Sequence, residues 1–337
     1  MSTISGAFTE TQLLDQMVRA DELLLDDRIK LQFKPKIDVL NAISAVNTAT
    51  VNPLFGQKDR DVQVMWMNAC DIDATTNTDC VFGGNTVSTN TDTYALSYNK
   101  AVPFYVTETD FDDNYFDPEE AIAKAFLHAD VSMLEAWAAY AVARLNIFKG
   151  VNTTDPEGKG DITGTDTYIL PAYWNASLMA YFARVAAHNQ FTSPTMLSGN
   201  NLWEAVFLAN ANSANANGKG DAILYGGLPW YFDLFGIDSI NTPDYVTYML
   251  SMGSIATATK NYNPVMPEVV NGVFTRYQMA SKFVPGITYD VFYKPECDED
   301  RVKHNFKLKM KGDIFLNPTG CNETNTGVLS FLCGTSA

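Results

Sequence analysis

The sequence predicts an α+β fold, and three observations predict it. Phe116–Gly150, FDPEEAIAKAFLHADVSMLEAWAAYAVARLNIFKG, carries no internal Pro beyond its first turn and no Gly before its end, so it reads as one long helix. Ahead of it, DVQVMWMN (Asp61–Asn68) and DTYALSY with VPFYVTET (Asp92–Thr109) have the alternation and the aromatic and β-branched content of strands. Behind it, shorter helical patterns give way from Ala222 to short strands and turns.

Residues 1–57 read as an N-terminal arm. Thr9 and Gln12 form a capping box, and Leu13, Leu14, Met17, Val18, Leu24 and Leu25 recur at helical spacing. IKLQFKPKIDVL follows, extended and broken by Pro35. The sequence leaves open whether this helix docks on its own core or on another chain. Residues 58–110 read as a projecting β-hairpin whose tip, ACDIDATTNTDCVFGGNTVSTNT, is polar and rich in turn residues. Two strands alone are marginal in water, so such a hairpin needs a surface to lie on.

For the long helix, Asp117 is the expected N-cap, Pro118 suits the first position, and Glu120 completes a capping box. Gly150 is expected as a left-handed C-terminal cap. About 32 residues give a rod of roughly 48 Å. One apolar stripe runs through Ile122, Phe126, Ala129, Met133, Trp137 and Tyr140, and a second through Leu127, Val131, Leu134, Ala138, Ala141 and Leu145. A surface helix needs only one such stripe, so this rod is expected to be covered from two sides.

A second helix is expected over Pro171–His188, with Trp174, Leu178, Tyr181, Phe182 and Val185 as its apolar face. NLWEAVFLA adds a third, capped by Asn201 with Glu204 in the capping-box position. Near the end HNFKLKMKGDIFLNP alternates, with His304, Phe306, Leu308 and Met310 on one face and Lys303, Asn305, Lys307 and Lys309 on the other.

Composition narrows the function. The 337 residues are 46% apolar, enough for a sizeable core, and 39 acidic against 23 basic residues give a formal net charge of −16. A chain this acidic is repelled by phosphate backbones, which argues against a dedicated nucleic-acid binder but not against a container around nucleic acid. The start, MSTISGAFTE, has no charged n-region or apolar h-region, so no signal peptide is expected. No run reaches the roughly 20 apolar residues of a membrane span.

The chemical inventory is thin. The three histidines, His128, His188 and His304, form no H-E-x-x-H pattern, and His128 and His304 are expected to be packed or capping groups. No nucleophile elbow, phosphate loop, dinucleotide fingerprint or C-x-x-C pair occurs. DPEGKGDITGTD has Asp155, Glu157, Gly160 and Asp166 at calcium-loop spacing, but Lys159 stands at a ligand position, where a cation is the wrong chemistry. Neither catalytic residues, cofactor nor metal is expected.

The order of parts, arm, hairpin, very long helix, mixed α/β region and returning strand, resembles the major capsid proteins of tailed bacteriophages, the Hong Kong 97-type fold. DVQVMWMN…VPFYVTET looks like that family's E-loop and Asp117–Lys149 like its spine helix. FTSPTMLSGNNLWEAV (Phe191–Val206) looks like its A-domain strand and following helix, and GDIFLNPTGC…TGVLSFLCG like its late NP…G ending. The resemblance implies an arm over 1–57, an E-loop over 58–110, a P-domain over 111–168 with a spine over 117–149, an A-domain over 169–296, and return strands over 297–337. It also implies a non-enzymatic virion protein, assembled in the host cytoplasm as hexamers and pentamers around double-stranded DNA, with no membrane partner. Scaffolding, portal and decoration proteins would then be separate chains. It further implies a spine helix flanked by the A-domain on one side and by an overlapping E-loop on the other. Two readings compete: a secreted or surface adhesive or carbohydrate-binding protein, which Asn/Thr-rich loops and aromatic strands would suit, and an acid hydrolase built on paired carboxylates.

Two sets of residues follow as candidates. Of the five cysteines, Cys70 and Cys80 flank the hairpin tip at a spacing a disulfide can close, although thiols are the default in a reducing cytoplasm. Trp66, Tyr105, Lys303, Lys307, Lys309, Asp110 and Asp112 are candidate contacts between copies. The lysine face itself has three readings: a solvated sheet edge, contact with packaged DNA, or pairing with the acidic clusters Asp110–Asp113 or Glu296–Asp300 of another copy.

Overall fold

The computed structural model describes residues 7–47, 49–52, 61–67, 89–107, 118–152, 155, 157–175, 178–191, 193–199, 202–203, 206, 223–225, 227–233, 246–298, 301–318 and 326–334. The Asp117 cap, the hairpin tip, and the expected Asn201 and Glu204 capping pair lie outside these residues. The helices are α1 (Glu10–Leu23), α2 (Asp27–Gln32), α3 (Asp38–Val46), α4 (Pro118–Phe148) and α5 (Leu178–His188). Before α4 come strands β1 (Thr50–Asn52), β2 (Asp61–Met67), β3 (Thr89–Ala95) and β4 (Tyr98–Thr107). After it come β5 (Gly160–Thr163), β6 (Asp166–Ile169), β7 (Thr195–Ser198), β8 (Ile223–Tyr225), β9 (Leu228–Phe232) and β10 (Val246–Leu250). The last are β11 (Ile255–Thr259), β12 (Glu268–Val270), β13 (Phe274–Ala280), β14 (Thr288–Asp298), β15 (Arg301–Leu316) and β16 (Val328–Cys333). Helices and largely antiparallel sheets together make this an α+β chain.

Contacts divide the chain into two compact units, one of residues 1–35, 96–137 and 259–313, the other of 36–95, 138–258 and 314–337. Residues 259–296, expected with the A-domain-like stretch, fall in the first unit. The reason is long-range pairing: β13, β14, β15 and β4 are neighbours in one sheet, which a division made along the sequence cannot see.

In the first unit, α1 opens as expected. Thr9 Oγ1 accepts from the Gln12 N–H at 3.3 Å, and Gln12 Oε1 accepts from the Thr9 N–H at 2.9 Å. The arm docks on its own chain, settling what the sequence left open. Ala20 and Phe33 bury against Ala123 and Leu127 of α4, with Leu23, Leu24, Ile29 and Val131 around them. Ion pairs Arg19–Glu119 at 2.6 Å and Lys282–Asp21 at 2.7 Å fasten its rim. The other stripe of α4 takes the inner face of the sheet. Phe126 meets Phe104 at 5.1 Å and Phe306 at 4.9 Å between ring centres, and Trp137 meets Tyr98 at 4.6 Å. Both stripes are therefore covered, and along this half of α4 the second is covered by the chain's own arm.

The expected hairpin is shorter than its sequence pattern. β2 pairs antiparallel with β3, Asp61 opposite Ala95 and Met67 opposite Thr89, and β1 adds a third strand. The second half of the expected return strand leaves: β4 pairs along β15, from Thr107 opposite Lys303 to Tyr98 opposite Gly312. Asp313 marks the departure, accepting the Ser97 N–H at 3.1 Å.

In the second unit a sheet runs β5-β6-β16-β10-β7-β9-β8. Its core gathers Leu178, Phe182 and Val185 of α5 with Met196, Trp230, Met249 and Phe331. The helix expected over Pro171–His188 splits into a 3-10 turn at Pro171–Tyr173 and α5, because Trp174, at φ −80° and ψ 72°, leaves helical space. Gly150 is not left-handed. Its role is close approach: a Cβ there would lie 2.6 Å from the Thr326 backbone nitrogen, while its own N–H donates to Val328 O at 2.8 Å. Thr326 Oγ1 closes the helix end by donating to Phe148 O at 2.6 Å.

Candidate functional site

The lysine strand is the centre of the candidate site, and its position corrects one reading. β15 is not an edge: β14 pairs with one side of it, and β4 and β11 with the other. The lysines therefore stand on a sheet face. Alternation buries Val302, His304, Phe306, Leu308 and Met310 and turns Lys303, Asn305, Lys307 and Lys309 outward. The register then builds rows across the face. Lys307 lies between Pro103 of β4 and Phe292 of β14, whose other neighbour is Arg276 of β13. Asn305 lies between Tyr105 and Lys294, and Lys309 between Ala101 and Asp290.

These rows enclose a groove of about 570 Å³ whose outward walls include Pro103, Tyr105, Phe274 and Phe292, with Lys294 and Lys307 beside them. Tyr105 is 61% exposed. The Lys303 ammonium sits 4.0 Å from the Tyr105 ring centre, a cation–π contact worth about 0.5–1 kcal/mol at an exposed site. Lys294 pairs with Glu296 at 2.7 Å and holds that carboxyl below the usual range. Among the described residues Lys307 has no carboxylate partner.

Of the other candidate contacts, Trp66 is buried, at 2% exposure, and Asp110 and Asp112 lie outside the described residues. Cys70 and Cys80 do too, so their pairing stays an expectation; Cys297 and Cys333 are free thiols. The groove walls Phe274 and Phe292 were missed by sequence reasoning. The signal was there in TYDVFYKPEC, where Tyr289, Val291 and Tyr293 alternate with Asp290, Phe292 and Lys294.

Among the described residues no group of three His, Cys, Asp or Glu side chains is placed to hold a metal. His304 is buried beneath Phe8, whose ring stacks on it at 4.2 Å, with Tyr293 Oη 3.0 Å from its Nδ1. His128 meets the Phe33 ring at 4.5 Å, while His188 is exposed in the last turn of α5. The calcium-like loop disperses its acids. Asp155 accepts the Gly160 N–H at 2.9 Å, Glu157 pairs with Lys159 and Arg184, and Asp166 pairs with Lys149 at 2.7 Å. Among the described residues no helix is long and apolar enough to cross a membrane.

One buried carboxylate is structural. Asp130 of α4 accepts from Tyr289 Oη at 2.7 Å, the Lys282 N–H at 2.7 Å and Ser281 Oγ at 3.0 Å, holding the turn after β13. Burial outweighs these bonds and pushes its carboxyl above the usual range. A carboxyl raised in the folded state binds its proton more tightly there. Stability should therefore fall as pH climbs from the ordinary carboxylate value through the folded value, then level off. Asp130→Asn is expected to flatten that decline, measured by urea unfolding between about pH 4 and 8. Parallel pH profiles for the two chains would contradict it.

No family model matches the chain, and no curated protein does. Solved structures are similar in shape. The cyanophage A-1(L) capsid asymmetric unit aligns at a TM-score of 0.48 and 11% identity, over 82% of this chain and 88% of that one. A structure from Mycobacterium phage Adephagia aligns at 0.46 and 13%, over 89% and 90%. The capsid structure of cyanophage P-SCSP1u aligns at 0.45 and 10%, over 83% and 85%.

Proposed function

We propose that the chain is a major capsid protein of a tailed double-stranded DNA bacteriophage, a structural protein that tiles an icosahedral head with copies of itself. The observation that carries the reading is the sequence of parts. A docked arm, a short-stranded hairpin sheet, a 31-residue helix, a separate mixed α/β unit and a strand returning beside the helix follow one another in that order. In this reading β2 and β3 form the E-loop, α4 the spine, the sheet of β4 and β12–β15 the P-domain, and the sheet around β10 the A-domain. Hexamers and pentamers, assembly in the host cytoplasm, and separate scaffolding, portal and decoration chains belong to the same proposal.

Shell building asks a chain to offer several faces at once, and this chain has two. One is the lysine and aromatic face of β15. The other surrounds β12, where Val265, Met266, Val269 and Val273 are all more than half exposed. Apolar side chains exposed close together in this way are a mark of an association surface. The contacts of each subunit with its neighbours together should exceed the roughly 1,600 Å² of a standard pairwise interface.

Removing residues 70–88, between β2 and β3, tests the E-loop assignment. The shortened chain is expected to fold and stay soluble but fail to close shells, as read by sedimentation velocity. Normal assembly of the shortened chain would remove the E-loop role from this hairpin.

A further inference from the structure

We infer that the outward face of the β4–β15–β14–β13 sheet is the docking surface for a second copy of this chain. The acidic–aromatic segment 108–117 of that copy would lie in the groove beside Lys294 and Lys307. The inference rests on the self-assembly reading and deepens it by naming the face and the chemistry of what meets it.

Charge is the first argument. The chain as a whole carries −16, so copies repel one another except where a surface locally reverses the sign. This face does so. Arg276, Lys294, Lys303, Lys307 and Lys309 stand on it against Glu268, Asp290 and Glu296. Two of those acids are already engaged by cations of the same face, Glu268 by Arg276 at 2.8 Å and Glu296 by Lys294. The third, Asp290, is buried and turned to the Tyr262 and Asn263 backbone N–H groups, 3.0 and 2.9 Å away. What remains for a partner is positive.

Shape is the second argument. A lysine patch alone would suit any polyanion, but the space between the lysines is walled by rings and a proline. Such a groove rewards an apolar side chain flanked by carboxylates on an extended backbone. Residues 108–117, ETDFDDNYFD, offer five carboxylates and three aromatics in ten positions, and Asp110–Phe111–Asp112 runs acid, aromatic, acid. Double-stranded DNA would satisfy the lysines while leaving the aromatic walls uncovered, and would meet the repulsion of the whole chain.

The test mixes nitrogen-15-labelled and unlabelled chains, lets them associate, and couples amines to carboxylates with a carbodiimide before mass spectrometry. Lys294 or Lys307 joined to Asp110, Asp112 or Asp113 should appear in mixed-isotope pairs about as often as in same-isotope ones. Lys294→Glu with Lys307→Glu is expected to weaken self-association at least tenfold. Mixing that variant with Asp110→Lys, Asp112→Lys chains should restore a measurable part of it. Associated chains whose lysines couple only within one chain, or not at all, would overturn the inference and leave the self-assembly reading standing. Lysine protection that appears only when double-stranded DNA is added would overturn it in favour of phosphate. A chain that stays monomeric at every concentration would overturn both.

Discussion

Replacing Phe126 with alanine is expected to lower the unfolding free energy by about 3–5 kcal/mol, the range for emptying a buried aromatic site. Phe126 is 1% exposed and its ring lies edge-on to both Phe104 and Phe306, so it joins α4 to the two strands that flank each other in the sheet. Those rings stack on one another at 5.2 Å and cannot move into the space without parting. The measurement is urea or thermal unfolding at a concentration where the chain is monomeric. If this stripe of α4 were meant for a neighbouring copy, the monomer would lose little and only assembled material would weaken.

Gly150→Ala is expected to cost about 3 kcal/mol, the upper part of the range for inserting a methyl into filled space. The new Cβ would meet the backbone nitrogen of Thr326 at 2.6 Å and its Oγ1 at 2.7 Å. A flexible side chain could swing away, but a backbone nitrogen held by its neighbours cannot. Relief requires the segment before β16 to retreat, which breaks the Gly150 N–H bond to Val328 O and the Thr326 cap on Phe148 together. Equilibrium unfolding checks the loss. A change below about 0.5 kcal/mol, the usual scatter of surface substitutions, would mean the segment is free to move.

The same two positions show what could be read in the sequence and what could not. The stripes of α4 were legible because helical periodicity is local: Ile122, Phe126, Met133 and Trp137 repeat at a spacing that needs no knowledge of what covers them. What covers them was not legible, since the arm helices and the sheet come from opposite ends of the chain. Gly150 was expected as a left-handed cap because that is the local habit of glycine after a helix. Its true constraint is a backbone from a distant segment. The lysine alternation of β15 was readable for the same reason as the helix stripes, yet its place in the middle of a sheet depends on β14 and β4. The departure of β4 from the hairpin was hidden because TYALSYNKAVPFYVT reads as extended throughout; only the break at Leu96 and Ser97, where Ser97 is tied to Asp313, divides it.

As a proposed capsid protein, this chain closes on copies of itself. An acidic chain with two compact units, a positive aromatic face and an exposed apolar rim around β12 has the surfaces such assembly uses. Electron microscopy of the purified chain across concentration and ionic strength tests it most directly. Uniform closed shells, or five- and six-membered rings of subunits, are predicted, loosening as added salt shortens the screening length below about 8 Å. A population of single subunits under every condition would contradict the account.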